Sequence, residues 1–529
     1  MNYLTRTMSK PFNLRHFVIA AIIAAMPLVT TGCLLGPKYH PPQGPTPAAP
    51  NYKESTVNFQ DTQGWKVASP QDAMLRGKWW EVFNDADLNA LEEDLNINNQ
   101  NIKEYFENLM QARAVIREAR AQYWPTVTTS PSWQRSHASG TLANSFVPNA
   151  GTGTGTSASG QATNSGQQTT NWSFPVAVSW MPDLWGKIRN EVREAQYAAQ
   201  VSAADLENER LTEQASLAQY YFEIRGQDAL QEILDKTVEA DQKALDVTQA
   251  AYDAGVDDYI SVVEAKATLE AAQSADINVK VARAQYEHAI AVLVGKLATD
   301  FSIPARPELR SPPPVPVGVP SELLQRRPDI AAAERTLAEA NATIGIGYGA
   351  FFPSLTLSAS GGFESSSFTK WFTWPSRFWA IGPSLSQTIF NGGLYRAELN
   401  QYTAVYNSDL AAYRQTVLTG FQQVEDNLAA VRLYSQQIER QQAAVKHAEE
   451  FLQLEMGRYQ TGIDPYVDVM TAQTTVLADQ QTLALIQVEQ MTSAVTLIEA
   501  LGGGWDVSQL PTPSQLGAKP PKSETTLQH

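Results

Sequence analysis

Few residues of this 529-residue chain have the type and spacing to do chemistry. Asp464 and Asp468 stand four apart, which puts both carboxylates on one helical face, where like charges are mildly destabilising. They read either as a solvated helix face or as an acidic site. The six histidines, His16, His40, His137, His288, His447 and His529, include no His-Glu-x-x-His or comparable ligand spacing. Gly151-Thr152-Gly153-Thr154-Gly155 lacks the Lys-Ser/Thr of a phosphate-cradling loop, and no helix opens after it, so it reads as exposed loop. The single cysteine, Cys33, can form neither an intrachain disulfide nor a cysteine-based zinc site. No nucleophile, base, metal or cofactor constellation emerges, which argues against an enzyme. With 39 Lys+Arg against 55 Asp+Glu, net charge -16, nothing supplies a basic surface for nucleic acid. No uncharged apolar run reaches the roughly 20 residues that cross a bilayer as a helix.

Cys33 acquires meaning from what precedes it. Arg6, Lys10 and Arg15 come before the apolar run Phe17 to Val29, which ends in Thr30-Thr31-Gly32-Cys33. A basic start, a short apolar middle and small residues at the end describe an export signal over 1–32. A cysteine directly after it resembles a bacterial lipobox, in which that residue is lipidated; Thr30 departs from the leucine preferred there. Leu34 after the cysteine, rather than an aspartate, resembles lipoproteins sorted to the outer membrane. The alternative is ordinary cleavage with an unmodified thiol. One acyl anchor tethers without spanning. Prolines 37, 41, 42, 45, 47 and 50 then make residues 33–75 an extended leader.

The remainder is a sequence repeated twice. Leu109, Ala112 and Pro125 return as Leu337, Ala340 and Pro353, and Tyr252 to Tyr259 returns as Tyr459 to Tyr466. The Gly/Thr/Ser-rich stretch Ser139 to Thr170 accounts for the greater length of the first copy. Each copy reads as helix, strand, loop, strand, long helix, glycine break, helix, with the breaks at Gly255 and Gly462. Runs of about 70 Ala-, Gln-, Glu- and Leu-rich residues predict helices of roughly 100 Å. Small residues (Ala195, Ala199, Ala203, Ala204; Ala404, Ala411, Ala412) suit close helix approach. In the strands, Trp172, Phe174, Val176, Val178 and Trp180 alternate with Ser173, Pro175, Ala177 and Ser179. Leu355, Leu357, Ala359 and Phe363 alternate with Ser354, Thr356, Ser358 and Ser360, and Trp379, Ile381 and Leu385 with Gly382, Ser384 and Ser386. Such nine- or ten-residue segments match transmembrane β-strands, and a β-sandwich is the alternative. Trp371, Phe372, Trp374, Phe378 and Trp379 would suit an interfacial girdle. Four strands cannot close, and an open edge cannot sit in lipid, so copies must pool their strands: two chains give eight, three give twelve and room for a pore.

Three further patterns carry a family resemblance: Trp79-Trp80 with Phe83-Asn84-Asp85; Pro320 to Leu324 with Arg327-Pro328-Asp329-Ile330 and Glu334; and Leu501-Gly502-Gly503-Gly504-Trp505. Together they resemble the TolC/OprM family of outer membrane efflux factors, on its lipoprotein branch. The resemblance implies an α+β membrane protein: a homotrimer with a twelve-stranded barrel in outer membrane lipid and a long periplasmic α-helical barrel. It also implies a passive exit duct, docked to a periplasmic membrane-fusion adaptor and an inner-membrane RND-type transporter, with no cofactor. Asp468 falls where the family can carry an acidic aperture ring, beside Asp464, with Tyr466 or Val467 as an apolar constriction. Thr471 and Thr474 stand where relatives carry an aspartate and a base, and Asp257, Asp258 and Glu264 are the first copy's substitutes. Asp183-Leu184-Trp185-Gly186 and Asn391-Gly392-Gly393 match strand-to-helix turns. The expected organisation is a first repeat over 76–310 (hairpin 126–182, helices 183–297), a second over 311–505 (hairpin 353–390, helices 393–501) and a disordered tail from 506 to 529. Protein secretion, heavy-metal export, or a non-conducting envelope lipoprotein are the alternative roles.

Overall fold

A computed structural model describes residues 34–42, 52–54, 77–137, 168–315 and 322–518. Cys33, the export segment, the Gly151–Gly155 run and residues 519–529 lie outside the described residues. The first helix, α1 (Ala86–Asn98), is capped by the Asp85 carboxylate, which accepts the Asp87 and Leu88 N–H groups. Two series of elements follow, each a helix, strands and two further helices. The first comprises α2 (Gln100–Ala121), strands β1 (Thr126–Thr129), β2 (Ser132–His137) and β3 (Gln168–Trp180), then α3 (Lys187–Asp253) and α4 (Tyr259–Leu293). The second comprises α5 (Pro328–Gly349), β4 (Ser354–Ser365), β5 (Arg377–Ser386), α6 (Leu394–Gln460) and α7 (Tyr466–Ala500). Corresponding helices are equal in length, 22, 67 and 35 residues in both copies. No helix among the described residues is long and apolar enough to cross a membrane.

The chain forms two compact units. In the first (Met1–Lys38, Arg117–Arg193, Asn341–Thr403) the strands make one antiparallel sheet, with β1 and β2 both on β3, then β4, then β5. The expected first strand is split in two. Its register runs unbroken from Thr126↔Ser179 to His137↔Gln168. The ladder lapses at Ser130-Pro131, opposite Phe174-Pro175, because proline carries no N–H to donate. The alternation is as expected. Trp172, Phe174, Val176 and Val178 share a face with Phe363, Ala359, Trp379, Ile381 and Leu385, and serines fill the other. Gly362 lies so close to β3 that a Cβ there would collide with the Phe174 carbonyl oxygen. Among the described residues both sheet edges, β1/β2 and β5, are unpaired.

The strand-to-helix corners of this unit are built as the sequence proposed. Asp183 accepts from the N–H groups of Ile188 (3.2 Å) and Arg189 (3.1 Å), and Gly186 takes φ +79°. Gly392 and Gly393 take φ +64° and +91° at the second corner. The leader is seated here rather than free: Leu35 N–H donates to the Trp185 carbonyl (3.2 Å), and Asn190 Nδ2 to the Leu35 carbonyl (3.0 Å).

In the second unit (Tyr39–Ile116, Glu194–Ala340, Ala404–His529) the three sequence signatures converge. Trp79 is fully buried, its indole N–H on Gln214 Oε1 (3.1 Å). Arg327 opens α5, whose first residue, Pro328, needs no N–H partner. Its guanidinium holds Asp329 at both oxygens (3.0 and 2.6 Å), Gln423 Oε1 (2.9 Å) and the Ala500 carbonyl (2.9 Å). Gly502 (φ +92°) faces the Arg326 carbonyl and Gly503 (φ +58°) faces Leu211, so closely that a Cβ at either would collide. Ala195, Ala199, Ala203 and Ala204 are buried, as close packing requires, whereas Ala404, Ala411 and Ala412 are exposed. The expectation of a disordered stretch from 506 is corrected as far as 518. Thr512 and Gln515 form a reciprocal capping box over the turn Pro513–Leu516, Leu516 is buried, and Gln200 Nε2 donates to the Pro511 carbonyl (3.0 Å).

Candidate functional site

The acidic residues singled out in the sequence gather where α6 turns into α7. Two helix ends are made alike. Gly255 (φ +71°) and Gly462 (φ +73°) occupy the left-handed position after α3 and α6. Val256 N–H returns to the Ala251 carbonyl (2.9 Å) and Ile463 N–H to that of Arg458 (3.0 Å), the Schellman closure that favours glycine. Each turn also stacks a tyrosine pair seven residues apart, Tyr252–Tyr259 and Tyr459–Tyr466, both at 5.4 Å between centroids.

Asp464 does not share a helical face with Asp468. It precedes α7, whose N-cap is Pro465, and only Asp468 lies in the first turn. The two carboxylates nevertheless converge with Glu455 of α6, all three within 4.8 Å, the one such group of metal-ligand type among the described residues. Arg458 forms an ion pair with Asp464, also donating Nη2 to Oδ1 (3.0 Å). That guanidinium holds the Asp464 carboxyl below its ordinary range, while burial and the Asp464 neighbour push Glu455 up. A guanidinium therefore already pairs with one of the three carboxylates, and the cluster is less suited to a metal ion on that account.

The turns are tied across the repeats. Asp257 accepts from Tyr459 Oη (3.3 Å), from Ser261 Oγ (3.0 Å) and from the Asp258 N–H (2.7 Å). Asp258 is the exposed N-cap of α4 and makes no side-chain cap bond; Glu264, one turn on, is half-buried. Thr471 and Thr474 bond the carbonyls of Val467 and Met470 within α7 (both 2.9 Å). Tyr466 is 4% exposed and packs with Ala244, Ala265 and Val469. Its ring belongs to the core of its own chain, which leaves Val467, 46% exposed, as the apolar side chain facing out. Sequence reasoning missed Arg458 and Tyr459. The signal was present, since Arg458 is the one lysine or arginine between Lys446 and the end of α7.

Beneath this turn Asp241 is buried with one carboxylate oxygen unpartnered. Burial raises it from 3.8 to about 6, and burial, with Asp241 beside it, takes Tyr466 to about 12. The folded state thus holds the Asp241 proton more tightly than the unfolded chain. Packing here is firmest below the unfolded value and weakens as pH rises through about 6. Asp241→Asn should raise the thermal midpoint at pH 7 and leave it unchanged near pH 3.5; equal shifts at both would remove the titration.

An amphipathic antiparallel sheet and duplicated helices of this length are the features of an outer-membrane channel. The comparisons agree. The chain belongs to the Outer membrane efflux protein family, whose profile matches residues 91–296 and 319–503. The solvent efflux pump outer membrane protein SrpC of Pseudomonas putida is 30% identical over 486 residues, covering 91% of this chain and 97% of that protein. The outer membrane protein OprJ of Pseudomonas aeruginosa is 27% identical over 464 residues, covering 87% and 93%. Among solved structures, the outer-membrane channel OprN is 25% identical with a TM-score of 0.77, covering 89% of this chain and all of that one. The Campylobacter jejuni CmeC outer membrane channel shares the fold, with a TM-score of 0.78 at 22% identity, covering 94% and 99%. The protein is an efflux exit duct of the outer membrane.

Proposed function

We propose that three copies pool their sheets into a twelve-stranded barrel, continued in the periplasm by a helical tunnel that narrows at the α3–α4 and α6–α7 turns. The observation that carries this reading is the open sheet: one face apolar and, among the described residues, both edges unpaired. An unpaired edge is intolerable in lipid, so the sheet must close with others, and four strand rows need three copies to leave a pore. The exposed alanines of α6, with Leu418, Leu433 and Leu454, supply a helix surface for the same assembly. Drugs, solvents or other toxic small molecules pass outward, delivered by an RND-type inner-membrane transporter through a membrane-fusion adaptor. SrpC is named for solvent efflux and ArpC for antibiotic efflux, and both are about as similar to this chain. Cys33 carries the acyl anchor, and the seating of Leu35 against the strand-to-helix corner suits an anchor held at bilayer level.

In this reading Asp468 projects towards the threefold axis, with Val467, Asp464 and Thr471 around it. The tie from Asp257 to Tyr459 holds the neighbouring turns together, Asp258 and Glu264 adding charge nearby. In planar bilayers the trimer should conduct, and Asp468→Ala should raise its resting leak several-fold. Equal leak in both forms would remove Asp468 from the aperture, and a trimer silent in both forms would sink the duct. Deleting the gene should raise intracellular accumulation of several unrelated apolar compounds; unchanged accumulation across them would argue against small-molecule efflux.

A further inference from the structure

The sheet is almost free of charge in a strongly acidic chain. Across residues 122–182 and 350–395 the only formal charges are Arg135, Glu364, Lys370 and Arg377. All four stand at one end. Strands meet helices at Thr126, Trp180, Ser354 and Ser386, and the opposite end is His137, Gln168, Ser365 and Arg377.

Register sorts the four by face. Arg135 is in step with Trp133, which pairs with Trp172, and Arg377 pairs with Phe363. Both arginines therefore lie on the apolar face. Glu364 pairs with Ser173 on the other face, where Asn171 Nδ2 donates to it (2.5 Å). The β4–β5 loop folds over the apolar face as well. Phe368 and Trp371 lie 5.0 and 5.3 Å from the Trp172 ring, and Phe372 lies 5.5 Å from Phe363. Lys370 is exposed between them. Among the described residues no carboxylate forms an ion pair with any of the three cations. Arg377 instead rests 3.1 Å over the Trp374 ring, its Nε on the Trp374 carbonyl (3.0 Å), and Arg135 bonds Gln168 Oε1 (2.8 Å).

We propose that this cationic rim binds the phosphate groups of anionic lipid headgroups, a role that rests on the sheet being the lipid-facing wall of the barrel. Aromatic rings settle at the interface between hydrocarbon and headgroups, which brings Arg135, one row beyond Trp172, Arg377, level with Phe363, and Lys370 of the loop within reach of the phosphates. A guanidinium with no acid partner presents a planar fork that matches a phosphate at two oxygens. Stacking on Trp374 holds Arg377 in place while leaving its outer N–H groups free of any carboxylate. Neighbouring strands are about 4.8 Å apart and residues about 3.3 Å apart along them, so Arg135 and Arg377, three strands and four residues apart in register, are roughly 20 Å apart. One phosphate cannot bridge them. The rim fits separate headgroups, one at each arginine.

Tryptophan quenching by brominated lipids in vesicles tests this with the full-length protein. Brominated phosphatidylglycerol should compete for the protein surface several-fold better than brominated phosphatidylcholine, and the preference should shrink as salt is raised. In Arg135→Gln/Lys370→Gln/Arg377→Gln the ratio should fall to unity, whereas Arg135→Lys/Arg377→Lys should keep most of it. A wild-type ratio of unity, or a preference unchanged in the triple glutamine variant, would overturn the proposal. Loss of the preference on adding inorganic phosphate at constant ionic strength would overturn it too, by making the site one for free phosphate. Wild-type conductance in phosphatidylcholine separates the two readings: a conducting trimer without lipid preference overturns the rim alone, and a silent one overturns the barrel.

Discussion

Replacing Asp228 with alanine should destabilise the second unit by about 3 kcal/mol, the lower end of the cost of stripping one partner from a buried ion pair. Asp228 is a hub. Its side chain is 1% exposed and accepts from Arg283 Nε (2.6 Å), Arg225 Nη1 (3.3 Å) and the Arg306 N–H (2.8 Å). The Arg225 side chain is 4% exposed and also reaches Tyr221 Oη (2.9 Å) and the Pro304 carbonyl (2.8 Å). Removing the carboxylate leaves Arg225, a desolvated guanidinium, with Asp87 at 3.4 Å as its one acid, a side chain open to solvent, and frees the segment near Ile303 from α3 and α4. Arg283 is better off because it keeps Glu287 at 3.4 Å, which is why the lower figure applies. The measurement is the thermal midpoint of the purified protein, together with the yield of folded protein. Asp228→Asn retains the volume without the charge and should recover little. If the asparagine variant melts with the wild type, the hub is a packing element and the electrostatic account fails.

How far the sequence foretold this molecule depended on whether periodicity or long-range contact decided the feature. Strand faces were legible because a period of two is a local property: Trp172 to Trp180 sorted themselves without knowledge of a partner. The glycine breaks were legible because the left-handed turns at Gly255 and Gly462 need glycine for local reasons. The cap by Asp183 was legible as a turn, though not as a carboxylate serving two N–H groups. The split between β1 and β2 followed from Pro131 and Pro175 facing one another's strand, which appears only once the register is known. The convergence of Trp79, Arg327 and Gly502 joins positions hundreds of residues apart, and no local pattern announces it. The structured turn at Pro513–Leu516 was hidden by proline-rich composition, which fits a capped turn as well as a loose tail. At the candidate site, Asp468 was read in its helix but Asp464 was placed on the wrong side of its start. Pro465 fixes that start, and the boundary of a helix is set by such residues more finely than by charge spacing.

Replacing Arg458 with glutamine should raise the resting leak of the reconstituted channel more than any single carboxylate change at the turn. Arg458 acts there twice. Its carbonyl closes the helix end by accepting from Ile463 N–H, and its guanidinium reaches across the turn to Asp464. The backbone bond survives substitution, and the charge does not. Glu455, Asp464 and Asp468 would then face one another within 4.8 Å with no cation among them. Repulsion between them opposes the packing of α6 on α7, and it strains the Tyr459–Asp257 tie that joins this turn to the first repeat. Two further measurements separate this cause from general damage. The ratio of variant to wild-type leak should shrink at high salt, because screening acts on exposed charges. Arg458→Gln/Asp464→Asn should leak less than Arg458→Gln alone, because one of the repelling carboxylates is gone, a coupling that two independent lesions do not produce. A leak in the double variant equal to the sum of the two single effects, insensitive to salt, would show that the turn depends on the shape of Arg458 rather than its charge.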